Sequence, residues 1–135
     1  MSRFTIAALL ACAFSAAACN NTTTTPTTPT TATSYTDTFT GTLNKNGASN
    51  FQFSVAAAGS VFATLSSVAD SSVQMGLSLG TWNGISCTII LANDNALQGT
   101  TVTGTASGVG TLCARVYDVG KVTSPLDYQI TVIHP

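Results

Sequence analysis

Val73-Gln74-Met75-Gly76-Leu77-Ser78-Leu79-Gly80 puts its large apolar side chains on one parity and its amide, hydroxyl and glycines on the other. Successive side chains of a strand point to opposite faces, so a spacing of two predicts a strand with one face on a core. The same period recurs on both sides of this run. Phe51, Phe53 and Val55 alternate with Asn50, Gln52 and Ser54 ahead of Gly59. Leu112, Ala114 and Val116 alternate with Cys113, Arg115 and Tyr117, and after Pro125 the residues Leu126, Tyr128, Ile130 and Val132 repeat the pattern.

Weaker runs fill the intervals. Tyr35–Leu43 carries Tyr35, Phe39 and Leu43 on one parity before the turn signal Asn44-Lys45-Asn46-Gly47. Val61–Leu65 reads as a short strand ahead of a polar loop at Ser66–Ser72, and Cys87–Leu91 as another after the turn Trp82-Asn83-Gly84. Beyond a polar turn at Asn93-Asp94-Asn95, the Thr-rich segment Gln98–Thr105 is weakly patterned and is expected at a sheet edge. Gly108 and Gly110 mark the next turn. Eight short strands with frequent turns predict an all-β fold, an antiparallel β-sandwich of about eight strands over residues 35–135.

The composition narrows the function. Of 135 residues, 44% are apolar and only 7% charged, so solubility rests on Thr, Ser, Asn and Gln. Glu is absent, and beyond the leader the cations are Lys45, Arg115 and Lys121. Such a surface does not steer toward nucleic acid.

The N-terminal segments lie outside any core. Arg3 precedes an apolar and small-residue run, Phe4–Ala18, interrupted only by Thr5 and Ser15 and ending Ala16-Ala17-Ala18-Cys19. This is the pattern of a signal peptide over residues 1–18, shorter than the roughly twenty residues a membrane-spanning helix needs. Ordinary cleavage after Ala18 would give a soluble secreted or periplasmic protein. The segment also resembles a bacterial lipobox, which implies diacylglycerol on Cys19 and a membrane anchor; Leu9-Leu10-Ala11-Cys12 is a rival match. Asn20, in the position where Asp retains lipoproteins at the inner membrane, is similar to lipoproteins sorted to an outer membrane or the cell surface. Residues 19–34 then form a Thr/Pro-rich tether with Pro26 and Pro29, expected to be disordered and to reach on the order of 40 Å at about 3.1 Å per residue. Asn20 and Asn21 each head an Asn-x-Thr triplet, but the tether is read as an unmodified spacer.

Cys87 and Cys113 are the only cysteines left in the folded part, and neither has a Cys or His at metal-ligand spacing. In an exported protein they are expected to form a disulfide.

Gly110-Thr111-Leu112-Cys113-Ala114-Arg115-Val116-Tyr117, followed by Leu126-Asp127-Tyr128-Gln129-Ile130-Thr131-Val132, resembles a bacterial pre-peptidase C-terminal domain. Phe39–Leu43 and Phe51–Gly59 are similar to that family's opening strands, so the resemblance spans roughly residues 36–133. It implies a jelly-roll-like sandwich without an active site, commonly appended to secreted hydrolases, some relatives of which bind collagen, polysaccharide or calcium.

Gly76-Leu77-Ser78-Leu79-Gly80 matches the Gly-x-Ser-x-Gly hydrolase motif, but that motif needs a strained turn from strand into helix, and here it lies inside an alternating strand. The single histidine, His134, is penultimate and expected to fray. Asp37, Asp70, Asp94, Asp118 and Asp127 are scattered, so no enzyme and no resident cofactor are expected. Asp94 with Asn93 and Asn95, joined by Asp70 or Asp118, offers oxygen ligands of the kind calcium takes, though Asn and Asp are ordinary turn residues. Trp82 beside Asn83 offers an indole for stacking on sugar, or a cap over the end of the core. Arg115 is expected to lie outward over a tyrosine ring. The function expected is a non-catalytic exported module with a structural or adhesive role. The alternative is a carbohydrate-binding module, calcium-assisted or not, for envelope polysaccharide.

Overall fold

Each alternating run becomes a strand, in the order β1 (Tyr35–Leu43), β2 (Ala48–Val55), β3 (Gly59–Val68), β4 (Met75–Trp82), β5 (Cys87–Ala96), β6 (Thr101–Ala106), β7 (Gly110–Tyr117) and β8 (Leu126–His134). The computed structural model describes residues 33–135; the expected signal peptide, Cys12, Cys19 and the expected tether through residue 32 lie outside the described residues.

The strands form two four-stranded antiparallel sheets, ordered β1-β8-β3-β6 and β2-β7-β4-β5. Only β4 and β5 are sequential neighbours in one sheet; every other connection crosses to the opposite sheet. That order is a jelly roll, two Greek keys wrapped into a sandwich. β6 occupies an edge, as its weak pattern suggested, and β7 and β8 lie inside their sheets. The apolar parities face each other: Leu65, Leu77, Val116, Ile130 and Val132 have no exposed surface.

Several boundaries differ from the sequence reading, and three of them change its turns and loops. β5 runs on to Ala96, so Asn93-Asp94-Asn95 is a bulged continuation of the strand and not a turn. Between the pairs Met75↔Ala96 and Leu77↔Asn93, Asp94 and Asn95 together oppose Gly76, and the Asn93 carboxamide oxygen accepts the Asn95 N–H at 2.9 Å. The chain reverses instead at Leu97–Thr100, where the Thr100 N–H donates to the Leu97 carbonyl at 2.9 Å, and β6 begins at Thr101. β3 continues through an irregularity at Leu65/Ser67 to Val68, taking in the first residues of the expected loop.

His134 does not fray. It ends β8 opposite Tyr35, is 4% exposed, and its Nε2 lies 3.1 Å from the Asp37 carboxylate. Its ring stacks on Tyr35 and tilts against Phe53, and the next carbonyl, of Pro135, accepts the Ala56 N–H at 3.0 Å. Buried polar groups with partners are fixed, whatever their distance from a chain end.

β4 is buried on both faces from Met75 to Gly80. Met75, Leu77 and Leu79 enter the core, while Gly76 and Gly80 lie under neighbouring strands. A Cβ at Gly76 would stand 2.2 Å from the Tyr117 ring, and one at Gly80 would stand 2.1 Å from the Thr88 carbonyl oxygen. The second approach makes the disulfide reachable. Cys113 of β7 and Cys87 of β5 flank β4 from opposite sides, and strands two apart in a sheet are ordinarily about 9–10 Å from each other. β5 carries an extra residue, Ile90, between the pairs Leu79↔Leu91 and Gly80↔Ile89, and its start folds over Gly80. The Cys87 and Cys113 Cα atoms thereby come within 5.8 Å and their sulfurs are bonded across β4.

A Gly80→Ala substitution is expected to cost about 1–3 kcal/mol by pushing backbone against side chain. Loss of the bridge in Cys113→Ser releases a loop with a sequence separation of 26 and is expected to cost about 3.5 kcal/mol from loop-closure entropy. Urea unfolding of both variants against the oxidised wild type, with the reduced wild type as a control for the bridge, measures these costs.

Candidate functional site

The residues singled out for chemistry are mostly committed to the fold. Ser78 has no exposed surface, sits within a straight run of β4, and reaches only the Arg115 carbonyl, at 3.5 Å. His134, the one candidate base, belongs to the other sheet and is held by Asp37, so serine and histidine are not brought together.

Trp82 ends β4 partly buried, opposite Cys87. The Asn83 carboxamide is used by its own turn: its oxygen accepts the N–H groups of Ile85 at 2.9 Å and Ser86 at 2.8 Å, and its nitrogen donates to the Ser86 hydroxyl at 3.1 Å. Asp94 accepts the Tyr117 hydroxyl hydrogen bond. Burial of that phenol, reinforced by the hydrogen bond and the charge of Asp94, pushes its pKa up to about 12, with Arg115 opposing. The Arg115 guanidinium lies 5.6 Å from the centre of the Tyr117 ring, as expected. Asp70 is occupied by the N–H and hydroxyl of Ser72. Among the described residues no three His, Cys, Asp or Glu side chains are grouped to hold a metal ion.

Asp118 is the most heavily engaged carboxylate. One oxygen accepts the N–H groups of Gly120, Lys121 and Val122 at 2.8–3.0 Å, and the other accepts that of Asn46 at 2.8 Å, tying the β7–β8 connection to the β1–β2 turn. These bonds, led by that from Val122, hold its pKa below the ordinary aspartate value, against the opposing effect of burial. A depressed folded-state pKa means the carboxylate stabilises the fold above its unfolded pKa, about 3.9, and that this stability is lost as pH falls through the folded value. Asp118→Asn is therefore expected to lower the melting temperature at neutral pH and to flatten the decline of wild-type stability below about pH 4. Thermal melts from pH 2 to 7 measure both effects.

What remains open is the outer face of the β1-β8-β3-β6 sheet. Its strands are in register so that Thr38, Thr131, Thr64 and Thr101 form one row across all four. The next row is Thr36, Ile133, Phe62 and Thr103, and on the other side Thr40 aligns with Gln129 and Ser67. The Thr64 and Thr101 hydroxyls lie 2.8 Å apart, and Thr42 donates to the Asp127 carboxylate at 2.6 Å. Ser66 links β3 to β8, donating to the Gln129 carbonyl at 3.1 Å while lying 3.3 Å from the Gln129 amide nitrogen and 3.1 Å from the Thr131 hydroxyl. A groove of about 460 Å³ runs past Thr40, Thr42, Ser67, Asp127 and Gln129. Asp127 is the one ionisable side chain on the outward parity of these four strands. Sequence reading noted the threonines of Gln98–Thr105 but not this face, because a row across a sheet depends on a pairing order that no local pattern encodes.

No protein-family model matches this chain, and no curated protein matches it either.

Proposed function

We propose that the chain is a non-catalytic envelope module with an adhesive role, exported by residues 1–18, anchored through lipid on Cys19 and carried on the tether of residues 19–34. The observation that carries this reading is where the polar side chains are spent. Ser78, His134, Asp94 and Asp118 are each engaged within the fold, while the hydroxyl-lined face is turned outward. A surface with one carboxylate and no cation suits a neutral partner, so the envelope component it contacts is a polysaccharide and not a nucleic acid. A calcium-assisted form of this contact draws no support from Asp94, whose Oδ1 accepts from the Tyr117 hydroxyl.

Export is supported by the Cys87–Cys113 bridge, a bond that persists in oxidising compartments. The anchor is supported by Ala16-Ala17-Ala18-Cys19 and by the polar spacer that follows it. Kinship with the bacterial pre-peptidase C-terminal domains belongs to the same proposal. Its support is that the two resembling segments, Gly110–Tyr117 and Leu126–Val132, are interior strands of their sheets.

Intact-mass spectrometry of the protein from its native membrane fraction tests the anchor and the bridge together. The expected mass lacks residues 1–18, carries a lipid on Cys19, and rises by two hydrogens on reduction. An unlipidated chain beginning near Cys19 and recovered from the medium would overturn the anchored reading in favour of a diffusible protein.

A further inference from the structure

We infer that the outer face of the β1-β8-β3-β6 sheet is a binding site for a neutral polysaccharide, with Phe62 and Ile133 as its apolar platform and the flanking threonines, Gln129 and Asp127 as its polar contacts. The site rests on the polysaccharide reading above and moves it away from Trp82 and Asn83.

Three observations carry it. First, Phe62 and Ile133 are cross-strand neighbours on the two interior strands of the face, in the row next to the Tyr35↔His134 end, 38% and 40% exposed, with Thr36 and Thr103 completing their row. A pyranose ring has an apolar face of C–H groups and a rim of hydroxyls. An exposed ring and a branched aliphatic side chain beside hydroxyls match both parts of that ring.

Second, the polar contacts are fixed before any ligand arrives. Ser66 lies within hydrogen-bond distance of both the Gln129 amide and the Thr131 hydroxyl, and the Asp127 carboxylate is oriented by Thr42. Side chains already held by one another lose less freedom on binding. One Asp127 oxygen accepts from Thr42, which leaves the other to accept from a sugar hydroxyl.

Third, the charge selects the ligand. With Asp127 as its one ionisable side chain, the face repels polyanions weakly at best and attracts none, while it offers alternating donors and acceptors to a neutral polyol. From Thr36 to Thr42 the face extends about 20 Å at about 3.4 Å per residue, room for a short oligosaccharide laid along the strands.

The test is affinity electrophoresis of the folded protein in native gels containing dextran, mannan, galactomannan, mixed-linkage β-glucan or, as the anionic comparison, alginate. Retardation by at least one neutral polymer and not by alginate is expected. Phe62→Ser and Gln129→Ala are each expected to weaken it about tenfold, with melting temperatures recorded to confirm folding. Trp82→Ala is expected to leave it unchanged. Retardation that survives Phe62→Ser and Gln129→Ala but disappears in Trp82→Ala would overturn this site while leaving the polysaccharide reading intact. Absence of retardation by all four neutral polymers would overturn both. Sedimentation showing a dimer that Phe62→Ser dissociates would overturn the site by assigning the face to a second copy of the chain.

Discussion

The fold depends on one apposition: the inward parity of β3 and β8 packed against that of β4 and β7. These are the interior strands, and Leu65, Leu77, Val116, Ile130 and Val132 are wholly withdrawn from water there. At about 25 cal/mol per Å² of apolar surface, this burial is the main favourable term available to a domain with so few charges. Everything peripheral is hung on it. The edge strands β1, β2, β5 and β6 each pair with one interior strand, and the disulfide ties edge strand β5 to β7 across β4.

Glycine sets how closely the layers outside that core can approach. Tyr117 rests on Gly76, and the start of β5 rests on Gly80, so β4 has no wet face although its sequence alternates. Alternation reports which side chains are apolar. It does not report whether the small residues between them are bare or covered, because the covering groups come from β5 and β7.

The strand count, the disulfide and the edge position of β6 were legible in the sequence because each follows from a local property: a period of two, a cysteine pair, a weak pattern. The continuation of β5 through Asn93-Asp94-Asn95 was not, since these are turn-forming residues that a bulge opposite Gly76 accommodates within the ladder. The fixing of His134 was illegible for a related reason. Its partners, Asp37 and Tyr35, lie at the opposite end of the described sequence and meet it only through the pairing of β1 with β8. The candidate site was least legible of all. A threonine every second residue in β1 is ordinary strand composition, and it becomes a surface only when β8, β3 and β6 align beside it.

The β1–β8 ladder has a mechanical consequence. Its rungs run from Tyr35↔His134 to Leu43↔Leu126, and the chain preceding the domain joins β1 at Tyr35. A pull applied through that junction along the axis of β1 would load every rung at once. The rungs are then sheared together and must yield together, unlike a peeling load that breaks them one at a time. Along that axis a β-ladder is hardest to part.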